Sequence, residues 1–179
     1  MQRRSFLAAV GLGTVGSLAG CAAPYAVPRS RFDSDADCPA GVALCYHEVG
    51  DEAVFLAPKR ERVEMGGSAG FVLVNRQSSS LLIGPDHWRL RKKEDDDWVT
   101  IPRDPFVDVG QSVPPYGTAE WTVPVTADDS VPTEDSDTDW VATETEFSPG
   151  RYCFELVGVP VPEAGERSLG ALFDVVEPQ

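Results

Sequence analysis

The chain has 179 residues, enough for one domain plus a tail and enough to bury a core without metals or many disulfides. Fifteen basic residues stand against 29 acidic ones, giving a net charge of −14. That balance excludes a protein whose main partner is nucleic acid, because phosphate binding needs a basic patch. A hydrophobic content of 42% excludes a wholly disordered chain.

The first twenty-one residues read as an export address. Arg3 and Arg4 form a basic start, and Phe6 to Leu18 is an apolar run rich in Gly and Ala. A bilayer core of roughly 30 Å needs about 20 apolar residues, so this run is too short to span it. Arg3-Arg4-Ser5-Phe6-Leu7 resembles the twin-arginine export signal, and Leu18-Ala19-Gly20-Cys21 resembles a lipobox. The second resemblance implies cleavage after Gly20 and lipid on the sulfur of Cys21. Two acyl chains there would anchor the protein stably, since each buried CH₂ contributes about 0.8 kcal/mol. The expected location is the extracellular face of the cell membrane.

The acid excess is selective. Among the basic residues Arg is preferred, with Lys only at Lys59, Lys92 and Lys93, and Asn75 is the single asparagine. This resembles secreted proteins of salt-loving archaea. In molar salt the Debye length falls to about 3 Å, so like charges repel little and carboxylates serve as hydrated surface groups.

Residues 21–37 carry Pro24, Pro28, Ser and Asp with little apolar periodicity, which predicts a flexible, lipid-anchored tether. The folded domain is expected over residues 38–179. There, short apolar segments alternate with Gly, Pro and Asp turns, and no long stretch keeps a helical period. The predicted strands are 42–49, 53–56, 62–65, 70–76 and 80–83. A hairpin follows, with strands 88–92 and 98–101 around an acidic turn at 94–97. Then come strands at 116–125, 151–157 and 169–176, with an acidic loop over 126–146. The expectation is all-β: an antiparallel sandwich of about seven to nine strands.

Five motifs in order carry a further resemblance: Phe71-Val72-Leu73-Val74-Asn75, Trp88-Arg89-Leu90, Trp98-Val99-Thr100-Ile101-Pro102, Glu120-Trp121 and Ser148-Pro149-Gly150-Arg151-Tyr152. Over residues 60–176 the chain resembles the bacterial immunoglobulin-like domains of small surface lipoproteins. That family implies a two-sheet sandwich serving adhesion, spacing or assembly, and no catalytic residues. One feature departs from antibody-type domains, where a Tyr-x-Cys pair points inward. Tyr152 and Cys153 are adjacent and so lie on opposite faces. Tyr152, Phe154 and Leu156 are expected inward, Cys153 and Glu155 outward, with no disulfide between the sheets.

With Cys21 lipidated, Cys38, Cys45 and Cys153 can form one bridge in three ways. An exported location favours oxidation. Cys38–Cys45 is preferred, closing a short Pro-Ala-Gly loop; Cys45–Cys153 comes next, and free thiols remain open.

Small lipid-anchored proteins of salt-loving archaea include blue-copper proteins, whose site takes two His, a Cys and usually a Met. Here His47 and His87 are the only histidines, and no His or Met follows Cys153, so that site is excluded. Asp135, Asp137 and Asp139, with Glu146 downstream, echo a calcium loop, but Trp140 stands where the turn needs Gly. Asp33, Asp35 and Asp37 repeat the alternation without a glutamate, which favours a hydrated acidic loop. No nucleophile elbow, zinc-protease motif, phosphate loop or Cys-x-x-Cys occurs, so no enzyme and no cofactor are expected. Trp88, Trp98, Trp121 and Trp140 are either core or a contact surface, with Trp140 in the acidic loop the best partner candidate. The sequence thus points to a membrane-anchored interaction module for an envelope protein. The alternatives are a carbohydrate- or cation-binding module using the 126–146 loop, and a protease-inhibitor-like sandwich.

Overall fold

The computed structural model describes residues 29–102, 110–126, 146–161 and 163–179. Among these the fold is all-β, with one three-residue 3-10 turn at Tyr46–Glu48 and no α-helix. The strands are β1 (Leu44–Cys45), β2 (Val54–Pro58), β3 (Arg62–Glu64), β4 (Ser68–Asn75), β5 (Leu81–Ile83) and β6 (Trp88–Glu94). They continue with β7 (Asp97–Thr100), β8 (Gln111–Val113), β9 (Thr118–Pro124), β10 (Gly150–Val161) and β11 (Gly165–Val176).

The large sheet runs β1-β11-β10-β6-β7, with β3 also on β11; a second sheet runs β2-β4-β9, and β5 pairs with β8. The large sheet is mixed, which corrects the expectation of a purely antiparallel arrangement. β1 and β3 both lie parallel to β11, at Leu169–Gly170 and at Asp174–Val176 respectively. The physical reason is edge protection. β11 is twelve residues long, and two short strands use its open backbone groups where a bare edge would invite aggregation. At the other side of β10, pairing with β6 stops at Leu156 opposite Trp88. Pro160 sits beyond that point and removes an N–H from the exposed stretch.

The core lies between the two larger sheets. Tyr152, Phe154 and Leu156 of β10 and Leu169, Ala171 and Phe173 of β11 face Phe71 and Leu73 of β4 and Trp121 of β9. Phe71 stacks on Phe154 at a centroid distance of 4.2 Å and 7° between planes. Trp88 lies 5.6 Å from the same Phe154 ring. β4 is buried on both faces: Val72 and Val74 pack outward against Tyr46, Phe55 and Ala57. That explains its continuous apolar run, since a strand covered on both sides has no polar face to alternate with. The lone asparagine closes this strand. The Asn75 amide donates to the carbonyls of Ser79 and Pro114, both at 2.9 Å, and its oxygen accepts from the Gln77 N–H at 3.0 Å.

Tyr152, Phe154 and Leu156 therefore point inward, and Cys153 and Glu155 lie on the opposite face. That opposite face is not exposed: Cys153 is 0% and Glu155 1% accessible. Alternation sets which face a side chain takes, but not whether another segment covers it. Here the chain before β1 does.

Candidate functional site

The tether predicted over 21–37 ends earlier than expected, because its last residues are docked on the large sheet. Phe32 is buried in a cluster with Cys45, Cys153 and Leu172. Two guanidiniums lie over its ring, Arg31 at 4.5 Å and Arg151 at 4.6 Å from the centroid. Arg31 and Arg151 both pair with Asp174. The Arg31 N–H and the Ser30 hydroxyl donate to Glu61, and Asp37 pairs with Lys93 near the far edge of the sheet. The Arg91 guanidinium donates to the Ala40 carbonyl at 3.1 Å. Residues 30–43 thus form a strap across the sheet. A short polar sequence reads as a spacer, but one aromatic ring with two cationic partners is enough to seat it.

The strap ends in a covalent loop. Cys38 and Cys45 are joined by a disulfide, with Cα atoms 6.4 Å apart. Glu48 lies near both sulfurs, and its carboxylate accepts the Cys45 N–H at 2.9 Å. These three groups have the spacing of metal ligands, but the disulfide takes up both thiols. Cys153 is a free, buried thiol. Burial pushes its pKa well above the usual thiol range, and the Glu155 carboxylate pushes it the same way.

The Asp37 carboxyl is held below its usual range, chiefly by the Lys93 hydrogen bond; burial opposes this, and the Lys93 charge and the Trp98 indole N–H, at 3.2 Å, add smaller lowering effects. A lowered pKa contributes stability above the ordinary carboxylate value, which is lost as pH falls through the folded value. The group is exposed, so Asp37→Asn is expected to cost less than about 1 kcal/mol at neutral pH. In urea titrations the gap between wild type and variant should close as pH falls below about 4. A gap that persists at low pH would count against the ion pair.

A second feature lies at one end of the large sheet. A groove of about 490 Å³ is lined by Asp86, His87, Trp88, Arg89, Thr100, Ile101, Pro102 and Val157. Its near wall is the turn before β6, held because the Trp121 indole N–H donates to the Pro85 carbonyl at 2.9 Å. Its far wall is a register shift in β10 between Leu156 and Val159, where Gly158 takes a φ of +70°. The Val157 N–H donates to the His87 carbonyl at 2.7 Å, joining the walls. Its lining mixes the apolar Trp88, Ile101, Pro102 and Val157 with the polar Asp86, His87, Arg89 and Thr100, the kind of mixture from which binding pockets are built. Sequence reading missed it, because its residues come from three separated segments.

The predicted residues Arg3, Arg4, Cys21, Asp135, Asp137, Asp139 and Trp140 lie outside the described residues. Glu146 is described and exposed. Beside it the Phe147 N–H donates to the Thr126 carbonyl at 3.0 Å, so the two ends of the acidic loop adjoin. Trp88 and Trp121 are core residues, 3% and 2% accessible. Trp98 is half-buried against Asp37 and Lys93. None of these three offers an open stacking face. His47 sits in the 3-10 turn and His87 at the groove, in different parts of the fold.

No protein-family model and no curated protein matches this chain. Among solved structures it is similar to the Pseudomonas fluorescens alkylpurine DNA glycosylase AlkC bound to DNA containing an abasic site analog, with a TM-score of 0.34 and 13% identity. The match covers 71% of this chain and 31% of that one. The expectation of a chain with no enzymatic role is withdrawn, because it rested on missing local motifs alone. Missing local motifs speak only of local signatures, whereas active sites assemble from distant segments. At this TM-score the likeness transfers nothing to the present chain, so no activity is assigned.

Proposed function

We propose that the protein is an exported, lipid-anchored immunoglobulin-like domain that presents a recognition surface outside the cell membrane. The order Arg3-Arg4-Ser5-Phe6-Leu7 and then Leu18-Ala19-Gly20-Cys21 is the observation that carries this reading. Residues 1–20 are the signal, Cys21 the lipid site, and residues from Ser30 onward the anchored domain. The acid-rich, lysine-poor composition supports a high-salt exterior.

Three structural features support the immunoglobulin-like reading. The sheet order β2-β4-β9 against β7-β6-β10-β11 follows the order A-B-E against C′-C-F-G. The Tyr152 hydroxyl donates to the Ser148 carbonyl at 2.8 Å and accepts its N–H at 3.2 Å, the backbone contact of a tyrosine corner. Phe154, two residues on, occupies the place of the second cysteine of antibody domains. Its stack on Phe71, with Trp88 alongside, stands where those domains put a disulfide against a tryptophan.

Recognition is assigned to the groove at residues 86–89, 100–102 and 157, together with the 126–146 loop. An envelope protein is the proposed partner; Trp88 and Trp121 are core residues and Trp98 is half-buried, so these three offer a carbohydrate module little stacking surface. Intact mass of membrane-extracted protein tests the anchor. Loss of residues 1–20 with lipid on Cys21 is expected, and a retained leader or bare Cys21 would refute it. Cross-linking on intact cells at native salt tests recognition. A recurrent protein attached near residues 86–102 is expected, whereas attachments that follow abundance alone would defeat the assignment.

A further inference from the structure

All three cysteines of the folded domain meet on one face of the large sheet. Cys45 pairs with Gly170 across β1 and β11, and Cys153 lies on the same face of neighbouring β10. A Cβ placed on Gly170 would sit 3.0 Å from the Cys45 sulfur and 3.2 Å from the Cys153 sulfur. The two sulfurs therefore converge over the one residue with no side chain to part them. Cys45 is already bonded to Cys38, so a free thiol is stored against a disulfide of its own chain.

We propose that Cys153 is a latent exchange partner of the strap disulfide: when the strap lifts, its thiolate attacks the Cys45 sulfur and moves the cross-link from Cys38–Cys45 to Cys45–Cys153. The step is redox-neutral. Cys153 gives its proton to solvent, a Cys45–Cys153 bond forms, the Cys38–Cys45 bond breaks, and Cys38 leaves as a thiolate that takes up a proton. No oxidant or reductant enters. The product frees the strap from its loop and pins β1 to β10.

Two barriers keep the reaction silent in the docked state. Burial under the strap and the adjacent Glu155 hold Cys153 as the unreactive thiol. β1 and β10 also flank β11, which places their backbones about 10 Å apart, while a disulfide tolerates Cα separations of at most about 7 Å. β1 must therefore leave the β11 edge and swing over Gly170. It is two residues long, so local opening can achieve this. Opening also admits water to Cys153, whose cross-strand neighbour Arg91 then favours the thiolate.

The test uses the full chain at native salt, pH 8.5 and graded temperature, without added thiol. Samples are quenched by alkylation and digested without reduction for mass spectrometry. A Cys45–Cys153 peptide pair is expected, with an equal amount of alkylated Cys38. Phe32→Ala unseats the strap and should speed the exchange about tenfold or more, equivalent to about 1.4 kcal/mol of easier opening. Cys153→Ser should abolish it. Alkylated Cys153 beside an intact Cys38–Cys45 bond, in wild type and in Phe32→Ala alike, would overturn the proposal. So would Cys153-linked dimers as the sole new product.

Discussion

Phe154→Ala is expected to destabilise the domain by about 3–5 kcal/mol, the range for truncating a buried phenylalanine. The ring is fully buried, with Phe71 at 4.2 Å, Trp88 at 5.6 Å and Trp121 at 6.2 Å. It therefore touches strands of both sheets at once. Its removal loses the transfer energy of the ring and leaves a cavity walled by three large aromatics. These cannot close the gap without leaving their own rotamers. Aromatic pairs of this kind contribute about 0.5–1.5 kcal/mol beyond area burial. Phe154→Leu keeps much of the volume and loses the stack, so it should fall clearly short of the alanine cost. Urea unfolding at fixed salt measures both, with a lowered midpoint and an unchanged slope. A cost below about 1 kcal/mol for the alanine variant would mean that the stack is not what joins the sheets.

The strand pattern was legible where each segment carries its own signal. The run Gly70–Asn75 and the hairpin Trp88–Glu94 with Asp97–Thr100 follow from β-branched and aromatic residues bounded by turn formers. Asp95 takes a φ of 49° at the hairpin tip, a conformation that a short polar side chain tolerates. Gln111–Val113 was not legible, because three residues with one buried apolar side chain have no periodicity to read. Nor were β1 and β3 as parallel partners of β11, since that pairing is settled by a distant edge. The inward direction of Phe154 was legible from alternation, but its stack on Phe71 was not, because the ring opposite it is set only when the two sheets assemble. The residue two after Tyr152 is the one to examine, and Phe154 fills it with Phe71 opposite. The strap was hidden for a different reason. Residues 30–37 are too polar to read as core, and their seat exists only once β10, β11 and β6 are assembled.

Arg91→Ala is expected to cost about 3–5 kcal/mol, because it would leave the Glu155 carboxylate buried without a counter-charge. The Glu155 side chain is 1% accessible and Arg91 13%, with Nη2 and Oε2 at 2.8 Å. The contact is a charge pair rather than an aligned hydrogen bond, so its value rests on neutralisation. The same guanidinium reaches the Ala40 carbonyl, linking the pair to the strap. Replacing both partners with leucine removes the unpaired charge, and most of the loss should return. A double-mutant cycle separates the two effects, since the singles share one interaction and cannot add. The pair itself need not stabilise the fold more than apolar residues would; what costs energy is half of it. A single-variant cost below about 1 kcal/mol would show that water reaches Glu155 and that the strap does not seal the sheet. Native-state alkylation of Cys153 gives the independent check. In wild type it should be slow, and in the double leucine variant of Arg91 and Glu155 it should accelerate, because the strap loses its hold at Ala40 while the opposing effects of the two charges on the thiol are removed together.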